Sequence, residues 1–225
     1  MGVSIGFHRK VNDWILSQEE EVVFRPFLVD GNPYKSRVFV VGAFPQPKLN
    51  IQLEERQQYI ESLVDVEFFD SLYGDLMHSR ENKGVATFTQ WLKEACGEVV
   101  VNTNVTTLMA DSTKQLKEFK KTTLQDYEKG FRVFREVLEE FQPEIVILHG
   151  ADALKQFRHQ FKDCLIDYYA HIEKVQELED VGAFAEIHFH EERKVKILAC
   201  RNLSMYGKSG EKFADFKQHV LNHLL

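Results

Sequence analysis

The sequence predicts an α/β protein of three layers, α/β/α, around a central, mainly parallel four-stranded sheet. Three observations predict it: short β-branched runs that are apolar on both faces, helix-length amphipathic segments between them, and a small or polar residue at the end of each run. The runs are Arg37-Val38-Phe39-Val40-Val41 into Gly42, Glu98-Val99-Val100-Val101 into Asn102, Glu144-Ile145-Val146-Ile147-Leu148 into His149-Gly150, and Val195 to Cys200 into Arg201-Asn202.

The intervening segments carry apolar residues at helical spacing. Ile51 to Asp65 and Thr87 to Ala95 fill the first gap, Leu124 to Phe141 the second, and Ala151 to Phe161 follows the third strand. Pro143 stops the helix that ends at Phe141 and launches the next strand, because proline lacks the backbone donor and disfavours helix before it. Ala183 to His190 and the last run are joined by polar Glu191 to Lys194, which reads as a hairpin or as an edge strand before the last core strand. Glu211 to Leu225 is a closing amphipathic helix. With no repeat and no Pro/Gly-rich linker, residues 1–225 are expected to form a single domain, with residues 1–36 as a helical lead-in.

Composition narrows the function classes. The first residues hold no apolar run long enough for a signal peptide, and no segment reaches the roughly 20 apolar residues of a membrane helix, so a soluble, cytoplasmic protein is expected. Cys96, Cys164 and Cys200 are far apart and without metal-ligand spacing. His188 and His190 share one face of a strand, but no third ligand stands at a suitable spacing, and no metal or organic cofactor is expected. The net charge of −7 works against general nucleic-acid binding, so any such contact must be local. One stretch, Ser112 to Arg135, inverts the balance with Lys114, Lys117, Lys120, Lys121, Lys129, Arg132 and Arg135; its plain reading is a solvated helix face.

Open α/β sheets bind ligands at the carboxyl ends of their strands. Here those positions hold Gly42-Ala43-Phe44-Pro45-Gln46, Asn102-Thr103-Asn104, His149-Gly150 and Arg201-Asn202-Leu203-Ser204. Neither a dinucleotide fingerprint nor a phosphate loop is present. An Asn carries both a donor and an acceptor and so can read two adjacent atoms of a base edge, although each Asn taken alone is equally at home capping a turn. Between the last strand and last helix, small, hydroxylated and basic residues suit a phosphate contact, and Met205 or Tyr206 suits a wedge into a base stack.

Taken in order, VFVVGAFPQ, VVVNTNV, PEIVILHGADAL and ILACRNLSMYGKS resemble the uracil-DNA glycosylase superfamily across most of the chain. In that superfamily a G-x-x-P motif follows the first strand, an Asn the second, and an H/N-P-S motif closes the site. GAFPQ is most similar to the G-[ST]-F-P hypoxanthine-type subgroup. The resemblance implies a uracil-DNA-glycosylase-like fold and a monofunctional DNA glycosylase that flips out a deaminated or modified base of DNA and hydrolyses its glycosidic bond.

Site residues follow from the resemblance position by position. Asn104 would hold the base, with Asn102 as the register alternative; Gly42, Ala43, Phe44 and Pro45 would line the pocket, and Tyr73, with Phe68 and Phe69 as rivals, would offer a stacking face. Asn202 would stabilise the leaving group or align water, and Ser204 with Lys208 would clamp phosphate. Two departures stand out: Ala43 and Phe44 occupy the place of a water-activating residue, and Asn202-Leu203-Ser204 lacks the usual His and Pro. Asn82 is the candidate for the missing catalytic group, with Asp75 and Glu81 as rivals in the same loop. The alternative is a catalytically silent module on the same fold that binds a nucleobase, a nucleotide or a protein partner.

Overall fold

A computed structural model describes residues 5–190 and 193–225. Its strands are β1 (Leu28–Val29), β2 (Val38–Gly42), β3 (Val100–Asn104), β4 (Ile145–His149), β5 (Leu165–Asp167), β6 (Ala183–His190) and β7 (Arg193–Cys200). The helices are α1 (Ile5–Ile15), α2 (Arg56–Ser62), α3 (Val66–Tyr73), α4 (Arg80–Cys96), α5 (Thr113–Thr122), α6 (Leu124–Phe141), α7 (Ala151–Gln160), α8 (Val175–Glu179) and α9 (Ala214–Leu224).

The expected four-stranded sheet is a seven-stranded mixed sheet in the order β1-β3-β2-β4-β7-β6-β5. The four runs read from sequence are its parallel centre, β3-β2-β4-β7. Three antiparallel strands extend it: β1 beside β3, then β6 and β5 beyond β7. Two of the additions have two and three residues, too short for any periodicity to register. The hairpin between β6 and β7 is antiparallel because so short a connection cannot cross over the sheet.

Alternate residues of the central strands feed two cores. Phe39, Val41, Val146, Leu148, Ile197 and Ala199 join α1, α2, α6, α7 and α8 on one face. Val38, Val40, Ile145, Ile147, Leu198 and Cys200 join α4 and α9 on the other. A third, small cluster at the sheet's carboxyl end packs Phe24, Leu108, Ala110 and Leu116 with Phe44 and Phe119.

Several boundaries move for local reasons. The helix expected over Ile51 to Asp65 is only α2, because Ile51 bridges to Val22 and Asp65 caps a new helix, accepting from the Phe68 N–H at 2.9 Å. The helix expected from Thr87 begins at Arg80, where Ser79 accepts from the Asn82 N–H at 3.0 Å; Gly84, a weak helix former, masks this first turn in the sequence. Strand β3 runs to Asn104, two residues beyond Asn102, since Gly42 and Val40 hold both asparagines in the ladder despite their poor strand propensity. The last helix opens with a 3-10 turn, Glu211–Phe213, before α9. Among the described residues no helix is long and apolar enough to cross a membrane.

Candidate functional site

From β2 the chain steps to β3 on one side and then returns to β4 on the other, so a crevice opens at the carboxyl end of β2. There the backbone of the GAFP turn is tied to the segment after β3: the Val105, Thr106 and Ala110 N–H groups donate to the carbonyls of Gly42, Ala43 and Pro45 at 2.9, 3.1 and 3.2 Å. The turn is therefore rigid, and Phe44 reaches the crevice while Ala43 packs on the core.

Gly42 makes the meeting of strands possible. A Cβ at this position would stand 2.6 Å from Asn104 Oδ1 and 3.0 Å from His149 Nε2, so only glycine lets both side chains close over the strand end. Asn104 and Asn102 face the same side of the sheet, but they are not equivalent. Asn102 accepts from Thr89 Oγ1 of α4 at 3.0 Å, whereas Asn104 stands at the strand tip beside Gly42.

Helix α4 supplies the opposite wall. Gly84 lies against the loop after β7 so closely that a Cβ would stand 1.8 Å from the Leu203 carbonyl oxygen, and this contact seats the first turn of α4 beside Asn202. In that turn Glu81 Oε1 lies 3.6 Å from His149 Nδ1 and takes a hydrogen bond from the Asn202 side chain. Asn202 is oriented for this, since its Oδ1 is occupied by the Ser204 N–H at 2.8 Å. Burial raises the Glu81 pKa, against the Asn202 hydrogen bond that lowers it; Asp152 adds to the rise.

His149 is 4% exposed, and its Nδ1 has no hydrogen-bond partner among the described residues. Burial lowers its pKa to about 4, so the ring is neutral at neutral pH. A part-exposed carboxyl with a raised pKa, beside a neutral imidazole with a vacant nitrogen, can hold a proton and pass it on.

These groups line a cavity of about 510 Å³, within the size range of small-molecule sites. Of the residues singled out in the sequence, Phe44, Phe69, Glu81, Asn82, Asn102 and Asn104 line it, Gly42 shapes it, and Asn202 buttresses Glu81. Asn82 donates to the Gln46 carbonyl at 3.3 Å and contacts Met77 Sδ at 3.7 Å, which ties α4 to the GAFP turn. Its rival Glu81 faces His149 instead, and Asp75 does not line the cavity.

Other expectations are displaced. Tyr73 does not line the cavity: its ring packs on Tyr59 and Phe69, and Phe69 is the aromatic that reaches the lining. Ala43 and Pro45 act through the turn's backbone. Ser204 and Lys208 are exposed and outside the lining. Tyr206 is core, packed on Phe88 and Phe213, whereas Met205 is half exposed next to the Asn202 turn. His188 contacts Glu186 at 3.4 Å; the His190 side chain lies outside the described residues, among which no cluster of three or more His, Cys, Asp or Glu could hold a metal.

Several lining residues carry no site role in the sequence pattern; among them are His149, although it ends a predicted strand, and Arg25, which lies between Phe24 and Pro26-Phe27. The basic stretch has a definite place. Lys114, Lys117, Lys120 and Lys121 are exposed on α5, whose other face puts Leu116 and Phe119 in the same cluster as Phe44. No protein-family model matches the chain, and no curated protein matches it.

Proposed function

We propose that the chain is a monofunctional DNA glycosylase on a three-layer, uracil-DNA-glycosylase-like fold, acting on a deaminated or otherwise modified base without a metal or organic cofactor. One observation carries the reading: Gly42, Asn104, His149 and Asn202, far apart in sequence, converge with Glu81 around one cavity at the carboxyl end of the parallel strands. The exposed lysines of α5 beside Phe44 supply the local positive charge that a DNA backbone needs on a chain of net charge −7.

In this reading a flipped base enters between Phe44 and Asn104, and Asn104 hydrogen-bonds its edge. Glu81, held by Asn202, orients a water molecule toward the anomeric carbon of the sugar. As the water oxygen bonds to that carbon, the C–N bond breaks, its electron pair leaves with the base, and Glu81 takes the water's proton. Transfer of that proton to the base nitrogen completes hydrolysis and restores the carboxylate. His149, neutral and close to Glu81, keeps positive charge away from the carboxylate at neutral pH.

The second reading is a nucleobase-binding module without turnover. It is favoured by Ala43, which packs on the core where a water-activating side chain would stand, and by the acidic balance of the chain.

The test is an oligonucleotide panel carrying uracil, hypoxanthine, xanthine, and hydroxymethylated or glucosylated pyrimidines, scored for alkali-labile sites. Cleavage at one of these bases is expected, falling by roughly 10²–10⁴-fold in Glu81→Gln. A folded wild-type protein that cleaves none of them overturns the enzyme reading, and binding without cleavage selects the second.

A further inference from the structure

The cavity contains a charge that the reaction outlined above does not use. Arg25 is 7% exposed and lines the cavity. A buried guanidinium is ordinarily matched by a carboxylate, because an unpaired ion in the interior costs several kcal/mol. Here none lies within ion-pair distance among the described residues. Asp30, on the same cavity, is paired with Lys93 at 2.7 Å, and Asp70 forms no ion pair among the described residues.

The surroundings of Arg25 are soft and apolar. Its Nη1 meets the Met77 thioether at 3.6 Å, a weak acceptor, and its guanidinium lies 5.8 Å from the centre of the Phe69 ring. Tyr59, the neighbouring phenol, donates its own proton to the Phe24 carbonyl at 3.0 Å. No further hydrogen-bond partner of the guanidinium stands among the described residues, and the side chain is part of the cavity lining. Met77 also touches Asn82, so Arg25 stands on the same wall as the first turn of α4 that carries Glu81.

We propose that Arg25 is the specificity-determining residue of the cavity, its guanidinium gripping the oxygen-bearing edge of the bound base; this rests on the glycosylase reading. Guanidinium offers donors and no acceptor, so it pairs with a carbonyl and leaves an exocyclic amine unpaired. A 6-oxopurine presents two adjacent acceptors that match the fork, and a 4-oxopyrimidine presents one. The same contact strengthens during the reaction, because the electron pair of the broken C–N bond puts negative charge on the base facing the cation. Arg25 stays protonated throughout, and the guanidinium's uncompensated burial in the free protein is relieved only when the base arrives.

Calorimetric titration of free hypoxanthine, uracil, adenine and cytosine into wild type and Arg25→Met, together with melting curves of both, tests this. Wild type is expected to bind each oxo base about tenfold or more tightly than its amino counterpart. Arg25→Met is expected to abolish that preference while melting no lower than wild type, since it replaces an unpaired buried cation with an apolar chain of similar length. A folded Arg25→Met that keeps the preference overturns the role of Arg25 and leaves the glycosylase reading standing. A wild type that binds none of the four bases overturns the role of Arg25, and the oligonucleotide panel separately decides the glycosylase reading. If Arg25→Met does not fold, the Arg25 Nε–H resonance of wild type decides: a shift on adding hypoxanthine and none on adding adenine supports the role, and equal response or no response overturns it.

Discussion

Helices α6 and α4 are nearly equal in length, 18 and 17 residues, and lie on opposite faces of the same sheet, yet they do different work. α6 buries Val133, Phe134, Val137, Leu138 and Phe141 along its length against an apolar core. α4 buries only Gly84, Phe88 and Leu92, and the sheet beneath its first half presents Asn102 and Asn104. The difference teaches how one sheet hosts both stability and a site. Where large apolar side chains fill the gap, nothing can enter. Where a helix packs through fewer buried side chains and its first turn is seated by a glycine, that turn stands over a cavity and brings a carboxyl to the strand ends.

Breaking α6 should give the largest stability effect. Phe134→Ala removes a fully buried ring packed on Phe157 and Phe161, and is expected to cost about 3–5 kcal/mol in urea unfolding without altering the cavity walls. No comparable loss is expected from any single truncation in the first turn of α4.

Acid should separate the two sides next. His149 takes a proton at an ordinary value of 6.5 when unfolded and at about 4 when folded, so the unfolded chain binds more protons between these values. Stability is therefore full above about pH 6.5 and falls by about 3 kcal/mol as the pH drops to 4. Glu81 acts with the opposite sign: its raised pKa lets the folded state keep a proton longer, so its contribution declines as pH rises above the ordinary carboxyl range. Melting temperature followed against pH in wild type and His149→Gln checks this, and an unchanged acid slope in the variant would exclude His149 as its source. The buried face of α6 has no titratable side chain and adds nothing to that slope.

Gly84→Ala makes α4 behave as a badly seated helix. Its methyl would collide with the Leu203 carbonyl, for an expected cost of about 1–3 kcal/mol and displacement of Glu81 from Asn202. A crystal structure of the variant, or a Glu81 pKa shifted by loss of the Asn202 hydrogen bond, would register the movement. The smallest effect is expected from Thr89→Val, which removes the hydroxyl donor to Asn102 and should cost about 0.5–1.5 kcal/mol in thermal unfolding while leaving Asn104 and the strand tip in place.

The parallel centre of the sheet, the limits of α6 and the cluster of interest at the strand ends are legible in the sequence, because each rests on a local pattern: β-branched runs, an apolar stripe at helical spacing, and a small or polar residue after each strand. Gly42, Phe44, Asn104 and Asn202 were legible for the same reason, lying where strands stop. What no pattern carries is pairing at a distance. The edge strands β1 and β5 exist only because β3 and β6 offer them backbone partners, and two or three residues have no period of their own. Glu81 and Asn82 meet different partners because helix geometry aims adjacent side chains in different directions, one at His149 and the other at Gln46. Arg25 and His149 line the cavity because the fold buries them beside it, and half-buried Tyr73 packs on Tyr59 and Phe69 outside the lining. The sequence by itself determined which segments end at the rim of the sheet; only the tertiary structure decided which side chains face the space between them, since burial and direction are set by neighbours tens of residues away.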